Sequence, residues 1–347
     1  MTRALISLDD LLAHGLIQPH ASLEALQEVA SRYSIAITPE IASALSPKDL
    51  DSPIARQFLP DARELTHFSH ERIDPIGDEA HSPIKGVVHR YRDRVLLKLL
   101  TVCPVYCRFC FRRETVGRGK GDLLDKEEID AALSYIAAHP EIHEIILTGG
   151  DPLALSPQRV AWVAEKIAAL SHIHVLRAHT RAPTAAPHLV TPEWLDALKL
   201  SNKALYFVLH INHSQELTEN ARAAIERIRA AGIALFAQSV LLAGVNDDVA
   251  TLERLMRDLM AMQIKPYYLH HPDLAPGTAH FRLDLKTGQE IYRQLSQRVS
   301  GLSLPTYVLD LPGGFGKIPI SAATAQEEGP GLWRIFDRSG QPRLYQE

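Results

Sequence analysis

From about residue 94 onward, short apolar runs, often β-branched, alternate with amphipathic stretches of helical period, and this rhythm limits the fold more than any single motif does. The strands it predicts are Val95–Leu99, Glu144–Leu147, His174–Ala178, Ala204–Leu209, Ala234–Val240, Lys265–Leu269 and Thr306–Leu309. The helices between them are Lys126–Ala138, Pro157–Leu170, Pro192–Leu200, Glu219–Ala230, Asp248–Met262 and Leu285–Val299. Strand starts at 144, 174, 204, 234 and 265 are almost evenly spaced. Such alternation predicts an α/β protein of parallel strands with crossover helices. A doubly wound sheet stays open. The lack of a G-x-G-x-x-G turn favours a barrel or partial barrel.

Residues 1–90 read differently. Ser22–Val29 and Glu40–Leu45 have helical periodicity, and the prolines and histidines from Pro60 to Pro83 predict loops. No chemistry stands out there, so this part reads as a helical extension or lid. After Lys317 a short tail remains. Trp333–Phe336 and Arg343–Tyr345 flank Arg338-Ser339-Gly340-Gln341-Pro342 as a candidate hairpin. The expected division is therefore an N-terminal helical extension (1–90), a βα barrel (91–320) and a C-terminal tail (321–347).

Apolar residues make up 46% of the chain, enough for a globular core. Net charge is −4 and pI about 6.5, so no broad basic face is implied and nucleic acid is not an expected partner. Met1 to Asp10 carries no long apolar run, so a secretory signal is not expected. No window is apolar for long enough to span a bilayer, so no membrane partner is expected. A soluble, cytoplasmic protein in a reducing compartment is the expectation.

The three cysteines of the chain sit in one window, Cys103-Pro104-Val105-Tyr106-Cys107-Arg108-Phe109-Cys110, with spacing C-x3-C-x2-C. An odd number so close together cannot make a paired disulfide framework. Thiolates suit zinc or an iron–sulfur cluster. Zinc usually asks for a fourth protein ligand, and a structural zinc site completed by a histidine is the competing reading. A cubane cluster on three cysteines leaves one iron open. The cysteines follow the first predicted strand, and other polar stretches follow the later ones. These are Thr148 to Pro152, His179 with Arg181, His210 to His213, Gln238, His270 to Asp273 and Asp310 to Lys317. In βα barrels such stretches meet on the rim at the C-terminal ends of the strands.

The cysteine window, with aromatic Phe109 before its last cysteine, resembles the radical S-adenosylmethionine (SAM) superfamily. The resemblance implies a partial (β/α) barrel in which Cys103, Cys107 and Cys110 hold a 4Fe-4S cluster and SAM chelates its open iron. It also implies that Gly149-Gly150-Asp151 contacts the amino group of SAM, and that His210 and Gln238 contact SAM as well. His210 and His213 as two ligands of a zinc site is the other reading of that pair.

Pro312-Gly313-Gly314-Phe315-Gly316-Lys317 narrows the resemblance to the lysine 2,3-aminomutase family, whose similar glycine-rich loop ends in the lysine that carries pyridoxal 5′-phosphate (PLP). Lys317 takes that place, in a surround expected to be cationic or apolar. Phe315 interrupts a run of glycines more usual in the family. The resemblance further implies that Arg112 grips the substrate carboxylate, where a planar fork suits bidentate binding. Asp273 and Asp310 would bind the side-chain ammonium of lysine, each carboxylate offsetting the desolvation of a buried cation. Arg94 would contact the PLP phosphate, with Tyr91 and Tyr267 near the cofactor. The implied activity is an isomerase that interconverts lysine and β-lysine by 1,2-amino migration, fed by an electron donor such as flavodoxin or ferredoxin, in a homo-oligomer.

Longer members carry a C-terminal zinc segment with extra cysteines, which this sequence lacks, so it resembles short members. Some of those make β-lysine for modifying translation elongation factor P, although they typically depart from the Pro-Gly-Gly-x-Gly-Lys pattern kept here. A 2,3-aminomutase for another amino acid such as arginine, and a radical SAM enzyme without PLP, are the other readings.

Overall fold

A computed structural model describes residues 3–18, 22–117, 123–321, 325–330, 332–336 and 341–346. Four short helices come first: α1 (Leu8–Ala13), α2 (Leu23–Arg32), α3 (Pro39–Ala44) and α4 (Pro53–Phe58). Each starts on a serine or threonine whose side chain accepts from a backbone amide of the first turn. Their apolar faces make a small core of Leu11, Leu26, Ile37, Ile54 and Phe58, into which Val105 of the cysteine window also packs.

The main sheet follows. Its strands are β1 (Val87–Tyr91), β2 (Arg94–Leu100), β3 (Glu144–Gly149), β4 (Val175–Thr180), β5 (Ala204–His210), β6 (Ala234–Val240), β7 (Lys265–His270), β8 (Thr306–Leu311) and β9 (Gly316–Pro319). They pair in sequence order. β2 to β8 run parallel, and β1 and β9 are antiparallel edges. The crossovers carry α5 (Lys126–Ala137), α6 (Pro157–Ala168), α7 (Ala182–Ala185), α8 (Pro192–Lys199), α9 (Glu219–Ala230), α10 (Val249–Ala261) and α11 (Leu285–Arg298). Pro157 and Pro192 sit in the first turn of their helices, where a missing N–H costs nothing. The sheet curls until its edges touch: the Lys317 amide of β9 donates to the Tyr91 hydroxyl of β1 at 2.9 Å. This is a partial (β/α) barrel.

Strand alternation decides what each face does. Leu97, Ile145, Leu147, Leu176, Phe207, Leu209 and Leu235 point outward into the main core, against Ile129, Ile136, Val163, Ile167, Ile225 and Leu255 of the helices. The alternate positions, among them Arg177, His179, His210, Gln238, His270 and Asp310, point inward and line one cavity. The interior is therefore mixed: these polar side chains share the wall with Val88, Leu96, Ile146 and Val240, where a structural barrel would stack aliphatic layers alone.

Two strands of the main sheet were not expected. Residues 87–90 lie in the part read as helical extension, yet with Tyr91 they form β1. Lys317, read as the end of a loop, lies in β9. Beyond the barrel, β10 (Ala325–Gly329), β11 (Leu332–Phe336) and β12 (Pro342–Gln346) form a separate antiparallel sheet, with Trp333 opposite Tyr345 and Phe336 opposite Pro342. The turn of the candidate hairpin, Arg338 to Gly340, lies outside the described residues. Among the described residues no helix is long and apolar enough to cross a membrane.

Candidate active site

The cysteine window leaves the C-terminal end of β2 and is anchored from two sides. The Gly150 amide donates to Leu100 O at 2.7 Å, and the Asp151 amide to Val102 O at 3.0 Å. A Cβ on Gly150 would stand 2.2 Å from Val102 O, so no larger residue lets these backbones meet. On the other side Glu64 is fully buried between Arg108, whose Nε donates to it at 2.9 Å, and Arg113. Arg113 Nη1 also donates to Arg108 O at 2.9 Å and to Gly277 O at 2.7 Å. Burial opposes ionisation of Glu64, but the two guanidiniums outweigh it and hold its carboxyl below the ordinary value. The segment between the cysteines is thus clamped by residues of the N-terminal extension.

No cysteine is in a disulfide, and all three thiols line the cavity. Burial pushes each of them up, Cys107 to about 12. Among the described residues no group of three or more His, Cys, Asp or Glu side chains is arranged around one point to hold a single metal ion. His210 and His213 do not form a pair: His210 faces the cavity, stacked on Phe109 at 5.5 Å between ring centres, while His213 accepts from the Gln215 amide in a turn. Burial, with the charge of Arg181, keeps His210 far below its ordinary value and therefore neutral. Its Nε2 is buried without a hydrogen-bond partner. Gln238, its neighbour across the β5–β6 ladder, also lines the cavity.

Asp151 is held in place by the turns around it. Its carboxylate accepts from Thr180 Oγ1 at 2.7 Å and from the amides of Leu153, Arg181 and Ala182 at 3.0, 2.8 and 2.9 Å. Both oxygens are spent on fixing the turns after β3 and β4. Gly149 and Gly150 likewise bring the β3 turn against the end of β2. This stretch anchors the cysteine loop, with Gly150 and Asp151 on the cavity wall.

At the opposite wall Lys317 Nζ lies 2.7 Å from Asp310 Oδ2. Arg90 Nη1 is 3.5 Å from Asp310 Oδ1, and His270 Nδ1 is 3.9 Å from Asp310 Oδ2. The surround of Lys317 is therefore anchored by a carboxylate, in place of the cationic or apolar one expected. Asp273 lines the same cavity, half-buried. Burial, reinforced by the charge of Asp310, pushes its carboxyl up to about 7 against the pull of Lys317, Arg112 and Arg90. Arg112 also faces the cavity, but its Nε and Nη2 both donate to Asp78 Oδ2, at 3.1 and 2.8 Å. Asp78 Oδ1 accepts from Arg90 Nη2 at 3.0 Å. Lower in the barrel Arg94 lies over the Tyr91 ring at 3.8 Å, and Arg177 pairs with Glu144 at 2.9 Å. Tyr267 donates to the Tyr268 hydroxyl at 3.0 Å, and both rings line the cavity.

Comparison with known proteins agrees with this arrangement. Residues 97–257 match the radical SAM superfamily. An L-lysine 2,3-aminomutase of Fusobacterium nucleatum is 36% identical over 296 residues, covering 85% of this chain and 69% of that protein. One from Acetoanaerobium sticklandii is 36% identical over 297 residues, 86% of this chain and 71% of that one. A glutamate 2,3-aminomutase of Clostridioides difficile is 32% identical over 297 residues, with 86% and 70% covered. The chain belongs to the lysine 2,3-aminomutase family.

Within this family member one cavity brings together the three cysteines, Arg94, Tyr91, Gly150, Asp151, His210, Gln238, Tyr267, Arg112, Asp273, Asp310 and Lys317. Gly149 stands behind them in the β3 turn. Sequence reasoning missed Asp78, Arg90 and Arg177, and gave His270 a place on the rim without a role; all four line the same cavity. His270 was legible as a polar residue at the end of a predicted strand. Asp78 stands in a stretch read as loop, and no pattern there points to it.

Proposed function

We propose that this aminomutase interconverts L-lysine and β-lysine by moving an amino group between adjacent carbons. The observation that carries the reading is the charge layout of the cavity. A guanidinium, Arg112, stands in it together with two carboxylates, the half-buried Asp273 and the buried Asp310. An amino acid with a cationic side chain suits such a layout. A side-chain carboxylate would meet two acids already there.

The donor set fits the groups the family uses. Three thiols that share a cavity without converging on one ion suit a cluster whose irons each take one thiolate. The partnerless Nε2 of His210, Phe109 beside it and Gln238 would face SAM. Lys317, Tyr91, Tyr267, Arg94 and Arg177 would hold PLP, the two arginines serving its phosphate. When bound, the cluster and SAM supply hydrogen-atom abstraction from the substrate and PLP supplies a carrier for the migrating amino group. An electron donor must serve the cluster.

The chain's own part is binding and exclusion of water. The substrate carboxylate meets Arg112. The side-chain ammonium takes the place beside Asp310 that Lys317 Nζ holds in this structure. Asp273 is part-protonated near neutral pH, and an arriving ammonium favours its charged form, so substrate binding releases a proton. Val88, Leu96, Ile146, Val240, Leu242 and Phe281 supply the apolar wall that keeps water from the reacting carbons.

The test is an anaerobic assay of the reconstituted chain with PLP, SAM, a reductant and L-lysine, reading β-lysine by chromatography with mass detection. β-Lysine is the expected product. Cleavage of SAM with no β-lysine would refute the substrate and point to ornithine or arginine. Absence of SAM cleavage with an intact cluster would refute the chemistry.

A further inference from the structure

One side chain of the N-terminal extension ties the two ends of the site together. Asp78 is buried, with Oδ2 on Arg112 and Oδ1 on Arg90. Arg112 gives Asp78 its Nε and Nη2 protons, which leaves the Nη1 side of the fork for a second carboxylate. Arg90 is shared unequally, 3.0 Å from Asp78 and 3.5 Å from Asp310. Asp78 thus holds Arg90 off the acid that a substrate ammonium would need. Without it the guanidinium is free to settle on Asp310 and neutralise it.

The segment that carries Asp78 is itself fixed. Asp74 accepts from the amides of Asp78 and Glu79 at 2.9 and 2.8 Å. A Cβ on Gly77 would stand 2.6 Å from the Gly314 amide nitrogen, so the segment lies directly on the glycine-rich loop before Lys317. Asp78 therefore contacts the arginine at one end of the site, reaches the acid at the other through Arg90, and sits on a backbone packed against the Lys317 loop.

Resting on the lysine reading above, we propose that Asp78 is a positioning residue that sets the span between the carboxylate-binding arginine and the ammonium-binding aspartates. In that role it selects an amino acid of the right length with a cationic end.

The test uses the full chain with all cofactors loaded, in three forms: wild type, Asp78→Asn and Asp78→Glu. Rates are measured with L-lysine, L-ornithine and L-glutamate, with iron content, the PLP absorbance band and substrate-free SAM cleavage recorded for each form. Asp78→Asn keeps the shape and removes the charge. It raises KM for lysine about tenfold or more, affects kcat less, and narrows the lysine-to-ornithine ratio of kcat/KM by about tenfold. Asp78→Glu keeps the charge and lengthens the arm by one methylene. It pushes Arg112 into the site and shifts the ratio toward the shorter ornithine. The inference is overturned if lysine KM and the lysine-to-ornithine ratio stay at wild-type values in both variants. It is also overturned if the PLP band and SAM cleavage fall in step with lysine turnover, since that marks a general structural fault. No lysine turnover by the wild-type chain overturns the lysine reading and this inference with it, whereas wild-type turnover with unchanged variants overturns this inference alone.

Discussion

Replacing Asp273 by Asn separates what the site needs from what the fold wants. The carboxyl of Asp273 is raised from 3.8 to about 7 by burial and by the neighbouring charge of Asp310. A folded-state value above the unfolded one means that the native chain binds the extra proton. The native state is therefore favoured below about pH 4 and loses that advantage as pH rises to about 7. At about 1.4 kcal/mol for each tenfold change in acidity, the ionised group costs the folded chain about 4 kcal/mol above neutrality. At about pH 5 less than half of that cost is present. Asparagine carries no such penalty. The stability gap between Asp273→Asn and the parent should therefore widen by roughly 3 kcal/mol from about pH 5 to about pH 8, in favour of the variant. For a chain of this length that is a divergence of about 4 °C in melting temperature.

The assay is thermal melting of both proteins, free of cofactors, across that pH window, paired with lysine turnover of the reconstituted enzymes. The expected pair of results is a variant that gains stability toward alkaline pH and has lost lysine turnover. A gap that stays flat with pH would refute the reasoning, because it would mean that Lys317, Arg112 and Arg90 already compensate the charge in the folded chain. An active variant would refute the assignment of Asp273 to the substrate ammonium.

Three further changes test the frame of the site. Gly150→Ala puts a methyl group against Val102 O, costs about 1–3 kcal/mol and displaces the cysteine loop; the variant should lose most of its iron after reconstitution, and full iron content would refute the anchoring role. Glu64→Gln leaves Arg108 and Arg113 buried without their shared anion and should cost about 3–5 kcal/mol in urea unfolding at neutral pH. Because the Glu64 carboxyl is held below its ordinary value, that loss should shrink as pH falls into the acid range, and a pH-independent loss would count against it. Lys317→Ala should abolish both the PLP absorbance band and turnover while SAM cleavage by the cluster persists; a retained band would assign PLP to another lysine.

The seven strands read from the sequence all exist, because their outward positions place an apolar residue at every second place, against the helices. The two edge strands do not. Val87-Val88-His89-Arg90-Tyr91 is half polar, since its inner face lines the site. Gly316-Lys317-Ile318-Pro319 is too short to show a period and is held by pairing with β8. The cysteines, the glycine-rich loop and the strand-end polar residues were legible for the same physical reason. Each sits where a βα unit turns over at the rim, and a polar residue after an apolar run needs another explanation than burial.

The acid that organises the two substrate-binding ends was not legible, and could not be. Asp78 gains meaning from partners 12 and 34 residues away, and the arginine it shares reaches an aspartate 220 residues further along the chain. No local pattern records such distances. The same holds for Glu64, whose burial follows only once Arg108 and Arg113 are folded over it. Asp151 adds a layer of the same kind: its motif was legible, but not that its carboxylate would also accept from the backbone of the next strand's turn. Local sequence thus names the groups that can do chemistry. Which of them face a ligand is decided by the acids that restrain their partners, and in this barrel several of those acids come from the extension that reads as inert. A chain cut before residue 80 would keep every recognised motif, yet it would release Arg108, Arg112 and Arg113 from the carboxylates that aim them. It should bind neither iron nor lysine, and iron retention at the level of the full chain would show that the barrel aims its own arginines.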